Sequence, residues 1–243
     1  MNAYYVDFHT HLHAYPDHSQ VAEEIGEHKI ITVAASMDIE SYKATKRIAQ
    51  GSPWVIPTFG IHPEESGTVT SRASLDTYLD ESPIIGEIGL DECWCRQVPL
   101  PVQEKVLEYI LDHCHRKRKY CVIHTKDAEA RVLEMLASFP DAKPIIHWYD
   151  GPVDIFKKML NKGYYTTFGC QVLYSDYIKE LLKMTPMEQV LSETDNPDSE
   201  KWLGGTDDTP LLIHRVVRDI AAVKGISERA CCKTIYGNSR KIL

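Results

Sequence analysis

Short apolar runs alternate with amphipathic segments along the 243-residue chain. The runs are rich in β-branched and aromatic residues and have the length of buried strands, whereas the segments between them carry apolar positions at helical spacing. The pattern predicts eight strands, at residues 4–11, 29–36, 54–59, 83–89, 120–123, 143–146, 164–169 and 189–192. It predicts intervening helices and a terminal helical pair, at residues 20–28, 39–50, 73–80, 102–117, 128–139, 153–162, 176–184, 210–224 and 227–243.

Eight β-α units in a chain of this length predict an α/β fold of the (β/α)8 type, a TIM barrel. The competing architecture is a doubly wound open sheet, which is expected to carry a glycine-rich turn after its first strand. Residues 12–19 contain no glycine. No segment has the composition of a linker, a low-complexity tract or a short repeat, so we expect one domain over residues 1–243.

Composition is that of an ordinary globular protein, with 43% hydrophobic and 26% charged residues. The net charge of −8 argues against a broad basic face for nucleic acid, but it is compatible with a small site in which bound cations attract phosphate. The seven cysteines are odd in number and scattered, which indicates free thiols. No apolar stretch reaches the length of a membrane span and the first residues lack a secretion signal. We therefore expect a cytoplasmic protein that neither associates with a membrane nor needs an obligate protein partner.

His9 and His11 stand at the end of the first predicted strand. Side chains at positions i and i+2 of a strand point to the same side, so these imidazoles are placed to hold one divalent cation. The alternative is a pair of polar residues that leave the strand for a loop. The other strand ends decide between these interpretations.

Histidines and carboxylates also follow other predicted strands, and barrel enzymes build their sites at the C-terminal ends of strands. Each one alone has an ordinary explanation, such as a histidine held by a backbone partner or a paired core carboxylate. Six such side chains on five strands instead predict a metal site: His9, His11, Glu87, His124, His147 and Asp195. A catalytic zinc usually takes three protein ligands. Six donors therefore favour two divalent ions (Zn, Mn, Co or Mg) that share Glu87 as a bridging carboxylate, with a hydroxide between them.

Six sequence blocks resemble those of the TatD family of metal-dependent deoxyribonucleases, within the amidohydrolase-like barrels, and they occur in the same order. The set spans nearly the whole chain and is far more specific than any one block. The blocks are Asp7-Phe8-His9-Thr10-His11, Gly60-Ile61-His62-Pro63, Gly86-Glu87-Ile88-Gly89-Leu90-Asp91, Val122-Ile123-His124, His147-Trp148-Tyr149 and Glu193-Thr194-Asp195-Asn196-Pro197.

This resemblance implies hydrolysis of DNA phosphodiester bonds, often as a 3′-to-5′ exonuclease, with a metal-bound water as the nucleophile. The substrate would be single-stranded DNA or frayed DNA ends. The implied ligand sets are His9, His11 and Asp195 for the first metal, His124 and His147 for the second, and Glu87 as the bridge. Glu87 and Asp195 are the candidate catalytic residues, because Asp195 would both bind metal and orient the attacking water.

Four further residues are candidates for substrate binding. His62 would donate a hydrogen bond to a phosphate oxygen, or would cap its own loop. Trp94 and Trp202 lie in loops after predicted strands, where an aromatic face would stack on a base or pack the loop onto the barrel. Lys126 stands where many TatD relatives have arginine, so it keeps the charge but loses the two-pronged grip on phosphate.

Asp150 is a second departure from the family pattern, which commonly has serine before the glycine in Tyr149-Asp150-Gly151. A carboxylate here would repel a polyanion unless a metal or Lys126 compensates. The alternative function is therefore an amidohydrolase-type enzyme on a small amide, lactone or phosphoester. Glu87, in place of the carboxylated lysine that bridges the metals of some such enzymes, favours the nuclease. A third class, a non-catalytic binding protein, would not be expected to retain all six ligands.

Overall fold

The computed structural model describes residues 4–197, 200–204 and 209–243, apart from the side chains of Glu200 and Trp202. Within these residues, strands alternate with helices. The strands are β1 (Val6–Thr10), β2 (Ile31–Ala35), β3 (Val55–Thr58), β4 (Ile85–Gly89), β5 (Tyr120–His124), β6 (Lys143–Ile146), β7 (Tyr165–Phe168) and β8 (Val190–Ser192). The helices are α1 (His18–His28), α2 (Ile39–Gln50), α3 (Asp76–Glu81), α4 (Leu100–Lys117), α5 (Glu129–Ala137), α6 (Val153–Asn161), α7 (Asp176–Met184), α8 (Glu200–Leu203), α9 (Leu212–Lys224) and α10 (Glu228–Ser239).

Every predicted strand and helix is present, with bounds shifted by a few residues. Helix α1 begins earlier than expected because the Asp17 carboxylate accepts hydrogen bonds from the N–H groups of Ser19 and Gln20, at 3.0 and 2.9 Å, and caps the helix. The helix predicted at 73–80 is divided into a 3₁₀ turn at Arg72–Leu75 and helix α3. Helix α8 lies in a segment that the sequence pattern left without structure.

The chain forms two compact units. The first consists of residues 1–35, 43–57 and 166–243, and the second of residues 36–42 and 58–165. Each unit is therefore assembled from segments that are distant in sequence. One domain over residues 1–243 stays a prediction.

Parallel strand pairs organise the first unit. Strand β1 pairs with β2, and β7 pairs with β8. The Ser192 hydroxyl of β8 donates to the Val6 carbonyl of β1 at 2.6 Å. Helix α10 is fastened to β8 by Asn238, whose side-chain amide donates to the Val190 carbonyl at 2.9 Å. The C-terminal ends of β8 and β1 consequently lie side by side.

Three parallel strands organise the second unit, in the order β4, β5, β6. Gly89 of β4 is paired with His124 of β5, and Ile123 of β5 with Ile146 of β6. The His147 N–H continues this register by donating to the Ile123 carbonyl at 3.1 Å. The three strands therefore end at the same level.

Strands β1 and β4 are buried along their whole length, as expected for strands of a parallel sheet that are covered on both faces. Their interiors nevertheless include Asp7, His9 and Glu87. All seven cysteines are free thiols, as predicted. Among the described residues, no helix combines the length and the apolar character needed to cross a lipid bilayer.

Two lysines fasten the ends of helices by binding several backbone carbonyls at once. The Lys119 ammonium donates to the carbonyls of Leu79, Asp80 and Ser82, where α3 ends. Lys224 donates in the same way to the carbonyls of Lys183 and Thr185, where α7 ends. Carbonyls at a helix end lack intrahelical donors, so a cation there satisfies them and interacts favourably with the helix dipole. Burial lowers the pKa of Lys119.

We expect Lys119→Met to lower the free energy of unfolding by about 1–3 kcal/mol, because three carbonyls lose a charged donor. Urea denaturation followed by circular dichroism measures this change. Lys117→Met is the matched control, since Lys117 lies two residues away and forms an exposed ion pair with Asp80. A surface pair of this kind contributes about 0–1 kcal/mol. Equal loss of stability in both variants would contradict the role assigned to Lys119.

Candidate active site

Three side chains converge where β1 ends and where the segment after β8 begins. The Nε2 atoms of His9 and His11 lie 3.3 Å apart. Oδ1 of Asp195 lies 3.5 Å from Nε2 of His9 and 3.3 Å from Nε2 of His11. The i, i+2 spacing thus places the two imidazoles side by side. We call these three residues the His9 cluster.

Backbone hydrogen bonds set the arrangement of the His9 cluster. The Asp195 N–H donates to the His9 carbonyl at 2.9 Å, and the His11 N–H donates to the Asn196 carbonyl at 2.8 Å. Asp195 has a φ of 55°, a left-handed conformation that aspartate tolerates better than most residues. Sparsely populated backbone conformations of this kind concentrate at functional sites.

Asp7 fastens β1 to the segment that carries Asp195. Its buried carboxylate accepts hydrogen bonds from the Thr194 N–H at 2.9 Å, the Thr194 hydroxyl at 2.6 Å and the His9 N–H at 3.3 Å. Burial raises the pKa of Asp7 to about 8, although these donors act in the opposite direction. Asp7 therefore serves to hold the backbone on which the His9 cluster is built.

A second group of side chains surrounds the Glu87 carboxylate of β4. Its Oε1 lies 2.9 Å from Nδ1 of His124, 3.3 Å from Nε2 of His147 and 3.8 Å from Nε2 of His62. The Glu87 side chain is only 2% exposed. We call these four residues the Glu87 cluster. Potential ligand atoms of His62, Glu87 and His124 all lie within 4.8 Å of one another.

Two glycines permit the close backbone contacts around the Glu87 cluster. A Cβ atom on Gly60 would lie 2.2 Å from the Glu87 carbonyl oxygen, and one on Gly89 would lie 2.0 Å from the His124 carbonyl oxygen. Neither position accepts a side chain without displacing the backbone that carries a cluster residue. The glycines of the Gly60-Ile61-His62 and Gly86 to Asp91 blocks are thus explained by packing.

Asp91 is a functional residue to which the sequence patterns assigned no role. Its Oδ2 lies 2.8 Å from Nε2 of His124, so both ring nitrogens of His124 face a carboxylate. Its Oδ1 accepts hydrogen bonds from the N–H groups of Cys93, Trp94 and Cys95, at 2.8, 2.6 and 3.1 Å. A carboxylate on the far side of a metal-binding imidazole fixes the orientation of the ring. In the sequence, only the position of Asp91 four residues after Glu87, in the same block, could have suggested this orienting role.

The charges of His124 and Asp91 stabilise each other. Burial lowers the pKa of His124, but the hydrogen bonds to Asp91 and Glu87 outweigh burial, and the pKa of His124 is raised. Burial likewise raises the pKa of Asp91, but the hydrogen bond and charge of His124 together with the backbone donors hold that pKa below its usual range. The hydrogen bond joins Nε2 of His124 to Oδ2 of Asp91 at 2.8 Å in the buried part of the site.

Both clusters fit a divalent cation by their donor chemistry, and the His9 cluster also fits it by spacing. Ligand atoms about 2.0–2.2 Å from a tetrahedral ion lie about 3.3–3.6 Å from one another. The three nitrogen and oxygen separations of the His9 cluster are 3.3, 3.3 and 3.5 Å. In the Glu87 cluster only the 3.3 Å between Glu87 and His147 lies in this range, whereas His124 is closer, at 2.9 Å, and His62 is farther, at 3.8 Å. Imidazole with carboxylate is the donor set that suits zinc or manganese.

The predicted substrate-binding residues have different surroundings. His62 belongs to the Glu87 cluster, and its Nδ1 also accepts a hydrogen bond from the Glu64 N–H at 3.3 Å, which caps the following 3₁₀ turn. The Lys126 ammonium lies 4.7 Å from the centre of the Trp94 ring. The side chain of Trp202 lies outside the described residues.

The family model for TatD-related DNases matches residues 6–243. The chain belongs to this family. An uncharacterized metal-dependent hydrolase from Mycoplasma genitalium is 26% identical to it over 98% of both chains. The 3′-5′ ssDNA/RNA exonuclease TatD of Citrobacter rodentium is 28% identical over 84% of this chain and 82% of its own length.

A solved structure confirms the fold of this TatD-family chain. The crystal structure of a TatD homologue from Escherichia coli matches 98% of this chain and 97% of its own, with a TM-score of 0.87 and 18% identity. The α/β (β/α)8 prediction from eight β-α units is therefore confirmed. The protein is a TatD-type metal-dependent hydrolase.

We expect Asp91→Asn to weaken divalent metal binding about 10- to 100-fold, because His124 loses the charge that orients it. The amide oxygen can still accept the backbone hydrogen bonds, so the fold should survive. Isothermal titration with Zn²⁺ or Mn²⁺ measures the affinity. Asp141→Asn is the control, since Asp141 also faces a histidine, His115 at 3.7 Å, but on the surface. Unchanged affinity in Asp91→Asn would exclude an orienting role.

Proposed function

We propose that this protein is a divalent-metal-dependent deoxyribonuclease that removes nucleotides in the 3′-to-5′ direction from single-stranded DNA or frayed DNA ends. The observation that carries the proposal is the presence of two imidazole and carboxylate clusters, of which the His9 cluster has the ligand separations of a single tetrahedral ion. Membership of the TatD-related DNase family supports it, and so does the relative from Citrobacter rodentium that is named as an exonuclease.

In this proposal two divalent ions, Zn, Mn or Mg, are held by six residues at the C-terminal ends of barrel strands. The His9 cluster would hold the first ion. His124 and His147 would hold the second, and Glu87 would be the bridging carboxylate. When bound, such ions lower the pKa of water to supply a nucleophile and neutralise charge on the phosphate oxygens.

The remaining chemistry is assigned to side chains of this chain. Asp195 has a left-handed backbone at the end of the His9 cluster, where its carboxylate would orient the attacking water and accept its proton. His62 is placed beside Glu87, where its Nε2 would donate a hydrogen bond to a phosphate oxygen. Lys126 would contact a neighbouring phosphate, while Trp94 and Trp202 would stack on bases.

One observation favours a second candidate, an amidohydrolase-type enzyme that acts on a small amide, lactone or phosphoester. Lys126 forms an ion pair with Asp150, so the cation expected to bind DNA phosphate already has a counter-ion. A small neutral or singly charged substrate needs no such cation. A test of whether an oligonucleotide competes with a small-molecule substrate for the site separates the two candidates.

We also propose that residues 1–243 act as one catalytic domain, that the protein is cytoplasmic and that it needs no obligate protein partner. Seven free thiols support a reducing compartment. The match of the family model over residues 6–243 supports a single functional domain.

The decisive assay is hydrolysis of a 5′-labelled single-stranded oligodeoxynucleotide with Mg²⁺, Mn²⁺ or Zn²⁺. We expect a ladder that shortens from the 3′ end, disappears in a chelator and returns with added metal. His124→Ala should abolish the ladder, because its imidazole is assigned to the second metal. An intact oligonucleotide under every metal, from protein shown to bind two ions, would favour the small-molecule hydrolase.

Glu87→Ala should lower the rate of hydrolysis at least about 100-fold, because it removes the carboxylate on which His62, His124 and His147 converge. A folded barrel is expected to persist, which circular dichroism and thermal unfolding would verify. Glu104→Ala is the matched control, since Glu104 pairs with Arg131 outside both clusters. Near-normal, metal-dependent activity in Glu87→Ala would refute the bridging assignment.

A further inference from the structure

Lys126 is engaged by two other side chains at once. Its ammonium forms an ion pair with the Asp150 carboxylate and lies 4.7 Å from the centre of the Trp94 ring. The three side chains come from the loops that follow β4, β5 and β6. We call Trp94, Lys126 and Asp150 the Lys126 triad. Its members lie outside both metal-binding clusters.

The loops that carry the Lys126 triad are held by hydrogen bonds. The Trp94 N–H donates to Asp91 at 2.6 Å, and the Lys126 carbonyl accepts from the Glu92 N–H at 3.0 Å. The loop with Asp150 packs so tightly that a Cβ on Gly151 would lie 2.4 Å from Cδ of Glu129. Hydrogen bonds and tight packing therefore hold the backbone that carries both members of the ion pair.

The Lys126 triad adjoins the Glu87 cluster and is open to solvent on one side. The Trp94 ring centre lies 6.3 Å from that of His124, and Trp94 is 50% exposed. The Lys126 and Asp150 side chains are 15% and 29% exposed. A substrate that reaches His124 would therefore meet an indole face and a cation whose charge is already balanced.

We propose that Asp150 is a specificity-determining residue, an internal counter-ion that competes with substrate phosphate for Lys126. This inference rests on the proposed function, in which Lys126 contacts a phosphate. The Asp150 carboxylate occupies the ammonium as a phosphate oxygen would. Binding a nucleic-acid phosphate at Lys126 requires displacement of Asp150, so this residue limits affinity for DNA.

The geometry assigns separate contributions to the three members. Trp94 stacks with a base irrespective of charge, since every base has a π face. Lys126 contributes to phosphate binding only as far as Asp150 is displaced. Removing the Asp150 charge while keeping its shape should leave Lys126 over Trp94, because the cation–π contact remains.

The test compares Asp150→Asn with Asp154→Asn. Asp154 pairs with Lys158 on the surface of α6, so both variants lose one negative charge from an ion pair in the same part of the chain. With a single-stranded oligodeoxynucleotide, Asp150→Asn should lower KM about three- to tenfold and leave kcat within about twofold. Asp154→Asn should leave both constants unchanged. Equal effects of the two variants would show a general charge effect and overturn the inference.

Salt dependence and a double variant test whether Lys126 is the group that the loss of the Asp150 charge frees for phosphate binding. One additional phosphate contact makes the plot of log affinity against log salt steeper by about 0.7 for a single strand, and Asp150→Asn should show this change. In a Lys126→Met background, Asp150→Asn should produce no gain. A gain that persists without Lys126 would overturn the inference.

Fluorescence anisotropy of a labelled oligonucleotide in chelator separates this inference from the proposed function. If the wild type cleaves DNA but Asp150→Asn neither lowers KM nor tightens binding, only the role of Asp150 is wrong. If no variant cleaves DNA, yet Asp150→Asn gains binding that depends on Lys126, the nuclease proposal fails and the counter-ion role stands. If no variant cleaves or binds the oligonucleotide, both are wrong.

Discussion

The site depends on the contacts between the buried carboxylate of Glu87 and the imidazoles of His62, His124 and His147. An ionised carboxylate in an apolar strand costs several kcal/mol unless charged or hydrogen-bonding partners surround it. Those partners come from the ends of neighbouring strands and their loops. The parallel register of β4, β5 and β6 is therefore a requirement of the site as well as of the sheet. The contact of Gly89 with the His124 carbonyl shows how closely the strands must approach.

Buried polar groups need partners in the first compact unit as well, and there backbone hydrogen bonds supply most of them. His9 and Asp7 lie within a fully buried strand, and each is matched to a group after β8. Asp7 binds Thr194, and the His9 carbonyl receives the Asp195 N–H. Polar side chains in both units thus find partners at the carboxyl ends of parallel strands. This is where (β/α)8 enzymes build their sites.

Charge explains how an acidic chain can belong to a family of DNases. A net charge of −8 would disfavour DNA at long range, but metal ions held by the two clusters would supply concentrated local charge at the site. Lys126 and Asp150, the two positions at which the resemblance implies a departure from the family pattern, form one ion pair. The charge of Lys126 is therefore balanced within the protein.

Local sequence patterns were sufficient to predict the eight strands and the helices between them, and they pointed to the six residues expected to bind metal. Strand length, helical periodicity and the i, i+2 spacing of His9 and His11 are local properties, and local patterns are readable without coordinates. The contact of Asp91 with His124 and the pairing of Lys126 with Asp150 became visible only in the tertiary structure. These contacts join residues 33 and 24 positions apart in the sequence, and no periodicity indicates which strand ends and loops lie together. Whether a charged side chain is exposed or already paired depends on which segments lie together in the fold.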